Sequence, residues 1–110
     1  VHADLEPVQL STTAELTVYR LVQEAITNIT KYARASHVWV SLLGRDGMVE
    51  VTVRDDGVGF DASRQPVSAH GLVGMRFRVE AEGGTLRLVS APGQGTRIQA
   101  RIPESAPSQD

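Results

Sequence analysis

The stretch from Thr12 to Ala35, TTAELTVYRLVQEAITNITKYARA, places apolar residues at Leu16, Tyr19, Val22, Ala25, Ile26, Ile29 and Ala33. Such 3.6-residue spacing, kept up over about five turns, predicts one long amphipathic helix. A helix of that kind needs an apolar surface to lie on, and the rest of the chain supplies strands. VHADLE reads as a short strand before the helix. HVWVSLLG and MVEVTVRD, joined by the turn RDG, read as a hairpin, and TLRLVSA and TRIQARIP, joined by PGQG, as another. Between the hairpins, LVGMRFRVEAEGG predicts a short helix ended by a glycine pair. Thr12 followed by Glu15 predicts a capping box at the start of the long helix.

The order is therefore strand, helix, two strands, helix, two strands, without regular βαβ alternation. That excludes a doubly wound nucleotide fold. It predicts an α+β, two-layer sandwich: a mixed, mostly antiparallel sheet with helices on one face. Residues 1–103 read as one domain, and ESAPSQD, from Glu104 to Asp110, as a polar, disordered tail. The chain opens on Val1, which reads as a fragment of a longer chain.

Composition narrows the function classes. The net charge of −2 provides no global positive field for nucleic acid. No window approaches the roughly 18 apolar residues of a membrane span, so no membrane contact is expected of this domain. The absence of cysteine rules out a disulfide framework and a thiolate metal site, in keeping with a cytoplasmic setting. Ten of the eleven basic residues are Arg, and Lys31 is the single lysine. A compact ammonium on a flexible stem suits point contact with a phosphate.

Three places carry chemistry. Glu24, Asn28, Lys31 and Tyr32 follow at i, i+4, i+7 and i+8, a polar stripe bordering the apolar face of the long helix. Polar groups there are either satisfied structurally or line a cleft. A carboxylate, an amide oxygen and an ammonium in one row could hold Mg²⁺ and a phosphate chain. The strand MVEVTV then breaks into Arg54, Asp55, Asp56 and Gly57-Val58-Gly59, where a plain turn needs neither a second acid nor a second glycine. After the polar loop DASRQPVSAHG, Gly71 and Gly74 stand at the mouth of the short helix, where free N–H groups favour an anion.

Taken in order, EAITNITKYA, DDGVGF, HGLVGM and GQGT resemble the N box, G1 box, G2 box and closing Gly-Thr of the GHKL ATP-binding superfamily, with its Bergerat-type fold. The chain resembles most closely the catalytic, ATP-binding domain of bacterial sensor histidine kinases. LVQEAITN, HGLVGMR and APGQGT are similar in wording to the nitrate-sensor subgroup. The likeness runs over roughly residues 14 to 103.

By this resemblance Asn28 coordinates Mg²⁺ through its amide oxygen, Glu24 holds a metal-bound water or acts as base, and Lys31 contacts the phosphates. Tyr32, where the subgroup usually has His, packs on the adenine ring. Asp55 accepts a hydrogen bond from the adenine amino group, which selects ATP over GTP, although an Asx-turn at a strand end is the alternative. Gly57 lets the base approach the backbone and Gly59 turns the chain into an ATP lid over residues 61–70. His70 stands at the hinge; Gly71, Leu72, Gly74 and Met75 cradle phosphates; Thr96 reaches the adenine pocket. Asp56 occupies a variable position. Phe77 departs from the family, where Glu is common. Trp39, Phe60 and Met75 read as core or pocket wall, His2 and His37 as ordinary residues.

The resemblance implies a domain that presents ATP with Mg²⁺ to a histidine on a separate helical dimerisation and phosphoacceptor domain of the same kinase, serving a cognate response regulator. No histidine here is followed by Asp in a helical context, so the fragment alone is expected not to autophosphorylate. Another GHKL ATPase, an anti-sigma-factor serine kinase, and a degenerate nucleotide-binding module are the alternatives.

Overall fold

The computed structural model describes residues 2–59 and 72–104. Strand β1 (His2–Leu5) is followed by helix α1 (Thr12–Asn28), strands β2 (Val38–Arg45) and β3 (Met48–Asp55), helix α2 (Leu72–Ala81), and strands β4 (Thr85–Ser90) and β5 (Thr96–Pro103). The sheet order is β1-β2-β3-β5-β4. Only the β1–β2 pairing is parallel; the other three are antiparallel. The expected α+β two-layer architecture is therefore present. The chain stays tied down through Glu104, whose N–H donates to the Gly47 carbonyl at 2.8 Å. Among the described residues no helix is long and apolar enough to cross a membrane.

Strand alternation decides which sheet face is covered. Val49, Val51, Val53 and Asp55 of β3 are buried, as are Ile98, Ala100 and Ile102 of β5. They meet Ala14, Leu21 and Ala25 of α1 and Met75 and Val79 of α2 in one core. Met75 is thus core, as expected. The intervening residues of β3 and β5 form the opposite face, which no helix among the described residues covers.

Two expectations for α1 are corrected. Its N-cap is Ser11, not Thr12: the Ser11 hydroxyl accepts from the Ala14 N–H at 3.1 Å and no reciprocal box forms. Ser11 keeps an extended backbone (φ −64°, ψ 163°), as a cap requires. The buried stripe is Ala14, Thr17, Leu21 and Ala25, whereas Leu16 and Tyr19 stand 50% and 63% exposed. Three small residues, Ala14, Thr17 and Ala25, share this stripe with Leu21, which lets α1 lie close to the sheet.

Helix α1 also does not run on as an α-helix. From Ile29 to Ala33 it widens into a π turn, closed by Arg34 in the left-handed region (φ 51°). Just before and within it, the hydroxyls of Thr27 and Thr30 donate to the carbonyls of Gln23 and Ile26, both at 2.9 Å. Hydroxyls bonding back four residues compete for helical carbonyls and bend helices.

Candidate functional site

At the end of β3, three of the predicted boxes are adjacent: the end of the long helix, the Asp-Asp-Gly-Val-Gly loop and the closing Gly-Thr. Asp55 points to the helix-covered side, as the alternation of β3 dictates, and is 3% exposed. Its Oδ1 accepts from the Gly57 N–H at 2.7 Å. Its Oδ2 is buried and has no hydrogen-bond partner among the described residues. Oδ1 thus closes the Asx-turn that the sequence allowed, and Oδ2 is left without a donor among the described residues. Burial pushes the carboxyl above its ordinary value and the neighbouring Asp56 adds to this, while the Gly57 and Thr96 N–H groups pull the other way. A buried acceptor left unmatched costs about 1–3 kcal/mol, a cost that a bound donor would remove.

Gly57 explains how the first two boxes meet. A Cβ there would lie 2.1 Å from the Ala33 carbonyl oxygen, at the end of the π turn. The adjacent Val58 N–H donates to that same carbonyl at 2.7 Å. The glycine is needed for backbone-on-backbone docking of the loop onto the end of the helix, whatever it does for a base. Gly59 likewise abuts the Ala91 carbonyl, and the Gly93 N–H donates to the Val58 carbonyl at 2.6 Å. The closing turn of the last hairpin thus packs on the Gly-Val-Gly loop. Thr96 lies directly across from Asp55 in register, its hydroxyl bonded to Ser90 Oγ at 2.8 Å.

On α1, Glu24 and Asn28 are half-buried and one turn apart. One carboxylate and one amide, without further protein ligands, suit Mg²⁺, which keeps several waters and binds through substrate phosphates. Among the described residues no three His, Cys, Asp or Glu side chains are grouped to cage a metal alone. Lys31 and Tyr32 fall in the π turn, so an α-helical i+7 and i+8 stripe does not carry through to them; their side chains lie outside the described part. His70, Gly71 and the lid at 61–70 also lie outside it, as does Phe60. Leu72 opens α2, and a Cβ on Gly74, two residues in, would meet nothing within 4 Å.

Asp56 is not aimed at the metal stripe. Its Oδ1 accepts from the N–H groups of Ser36 and His37 at 2.8 and 2.9 Å, and Oδ2 pairs with His37 Nδ1 at 2.9 Å. The His37 N–H first, then its ring, hold the carboxyl down at about 2, against an ordinary 3.8. A carboxyl lowered on folding supports the fold above its unfolded value and loses that support as pH falls through the folded one. Stability should therefore drop between about pH 4 and about pH 2 through Asp56. Thermal melts of Asp56→Asn across that range are expected to show a shallower acid limb than the parent.

His37 is accordingly more than an ordinary residue: it locks the loop after α1 to the residue following Asp55. Trp39 is neither core nor pocket wall. It lies half-buried on the uncovered sheet face, stacked with His2 and His37 at ring-centroid separations of 5.6 and 5.7 Å. The strand alternation that buries Asp55 could have found this, since Trp39 is in register with Arg54, which must point the other way.

Backbone packing therefore gathers the end of the π turn, the Asp-Asp-Gly-Val-Gly loop and the Gly-Thr start of β5. Residues 13–106 match the family described as histidine kinase-, DNA gyrase B- and HSP90-like ATPase. The chain belongs to that family. Among curated relatives of this ATPase domain, "Signal transduction histidine-protein kinase/phosphatase DegS" of Brevibacillus brevis is 40% identical over 89 residues, 81% of this chain and 23% of that protein. "Sensor histidine kinase LiaS" of Bacillus subtilis is 32% identical over 100 residues, 91% of this chain and 28% of that one. The ATPase domain thus spans less than a third of these relatives. The solved ATP-binding domain of PrrB from Mycobacterium tuberculosis superposes with a TM-score of 0.68 at 25% identity, covering 96% of this chain and 82% of that one. Histidine kinase AdeS of Acinetobacter baumannii reaches 0.78 at 17% identity, over 96% of this chain and 54% of that one, a likeness of fold alone.

Proposed function

We propose that this domain binds ATP with Mg²⁺ and offers the γ-phosphate to a histidine on a separate helical dimerisation and phosphoacceptor domain, within a sensor kinase that serves a response regulator. The buried Oδ2 of Asp55, without a hydrogen-bond partner among the described residues, carries the reading. An adenine amino group is the donor that fits it, and guanine would set a carbonyl oxygen against the carboxylate instead.

Asn28 and Glu24 would hold the cation, directly and through water, with Lys31 on the phosphates and Tyr32 against the base. When bound, the cation neutralises charge on the phosphate chain. The protein's own part is positioning. Asp55 orients the base, Thr96 flanks it, and Gly71, Leu72, Gly74 and Met75, with His70 beside them, line the phosphates at the start of α2. Neither described histidine, His2 in β1 or His37 just before β2, lies on a helix, and His70 is followed by Gly rather than Asp, which supports a phosphoacceptor from another domain. The wording HGLVGMR and APGQGT supports a nitrate-sensor-like kinase working on the cytoplasmic side.

Calorimetry tests this directly. ATP and ADP are expected to bind, ATP more tightly with Mg²⁺, and GTP not; equal affinity for GTP would sink the reading. With γ-labelled ATP the chain alone should acquire no label. Gly74 supports a finer test. An exposed helical glycine costs about 0.5–1 kcal/mol relative to Ala, and no neighbour here demands one. Gly74→Ala is expected to melt no lower than the parent yet bind ATP more weakly, as ligand titration followed by melting would show.

A further inference from the structure

We propose that the uncovered face of the sheet around Arg54 and Arg97 docks an acidic peptide segment of a partner protein. Arg54 and Arg97 stand directly opposite each other on β3 and β5, both exposed. Like charges in that relation destabilise a sheet. Arg87 of β4 is in register with Gln99, two residues along β5 from Arg97, and adds a third exposed guanidinium to the same face. No ion pair joins any of the three to an acid among the described residues.

The acids sharing this face are engaged or distant. Glu50 takes Arg101 at 3.8 Å and the Gln99 amide at 3.1 Å. Asp56 is held by Ser36 and His37. Asp4 lies on the edge strand β1, across from Ser41 and two strands from Arg54.

The cluster is also preorganised. The Arg54 guanidinium lies 4.3 Å over the Trp39 ring, and His2 stacks on Trp39 at 5.6 Å. A stacked guanidinium has already lost most of its rotamer freedom, while the edge carrying its N–H groups stays free for a bidentate carboxylate. The Trp39 ring already carries the Arg54 guanidinium and has His2 and His37 as ring neighbours, so it is less open to a nucleobase than the platforms that bind single strands. A short run of carboxylates, with an apolar side chain for the exposed Val89 beside Arg97, fits what remains.

Trp39 is the sole tryptophan, so its emission reports on this patch. The full chain, without nucleotide, is titrated at low salt with a short peptide of alternating Glu and Leu, its Gln counterpart, oligo-dT, and phosphatidylglycerol vesicles. Saturable change is expected with the Glu peptide, weakened roughly tenfold or more in Arg97→Glu. A Glu opposite Arg54 makes a favourable cross-strand pair, so that variant should melt no lower than the parent. Arg20→Glu, on exposed α1, should bind the peptide like the parent. No saturation, equal binding of the Gln peptide, unchanged affinity in Arg97→Glu, or tighter binding of oligo-dT or vesicles would each overturn the proposal. None of these results touches the nucleotide reading at Asp55.

Discussion

Asp55→Asn is expected to weaken ATP binding by about 1.5–3 kcal/mol, roughly 10- to 150-fold, the worth of a hydrogen bond to a charged group. The fold should survive, because the Asn oxygen can still accept from the Gly57 N–H as Oδ1 does. The other position changes from acceptor to donor. An amide N–H₂ there opposes the adenine amino group but complements the guanine carbonyl, so discrimination between ATP and GTP should collapse or invert. Calorimetry with both nucleotides, beside thermal melts, separates this from unfolding; an unchanged ATP affinity would remove Asp55 from the site. In the parent, acidification should weaken ATP binding as the carboxylate protonates. Because burial raises this carboxyl, the loss should begin above the ordinary 3.8. The sign for stability is the reverse of that at Asp56. A carboxyl raised on folding favours the fold below its unfolded value, and that contribution is lost as pH rises through the folded one.

The second large effect is structural. Gly95 has φ +72°, and a Cβ on it would lie 2.1 Å from the Asp55 carbonyl oxygen. Gly93, in the same turn, has φ +77° with nothing within 4 Å. Ala at Gly93 should cost only the left-handed penalty, about 1–2 kcal/mol. Gly95→Ala should add an overpacking cost of about 1–3 kcal/mol, since the obstacle is backbone that cannot rotate away. A loss of about 2–5 kcal/mol is a large share of a domain's stability and should lower the melting temperature on the order of 10 °C or more. Equal melting of the two variants would show that the close approach of β5 to the end of β3 is not what the glycine serves.

Much of the site was legible because the spacing of a few polar residues and glycines is hard to produce for other reasons. Asp55, Gly57, Gly59 and Thr96 lie in segments that pack on one another, and Glu24 and Asn28 are one turn apart on α1. What misled was periodicity used alone. Leu16 and Tyr19 match a helical period as well as Leu21 does, but Leu21 shares its stripe with the small Ala14, Thr17 and Ala25, and that is the stripe turned to the sheet. The two threonines that turn the end of α1 into a π turn are ordinary helix residues on paper. Only where their hydroxyls go changes the geometry at Lys31 and Tyr32.

Local order along the chain was enough to determine the elements, their sequence and the family, because strand alternation, helical spacing and glycine-marked turns act over a few residues. Tertiary structure alone decided that Asp55 is buried under the helices, that Asp56 is spent on holding a distant loop, and that Gly57 and Gly95 are glycines because backbones touch there. Contacts between residues 20 to 60 positions apart set those roles, through the sheet register and the docking of one loop on a helix end. No short-range pattern records them.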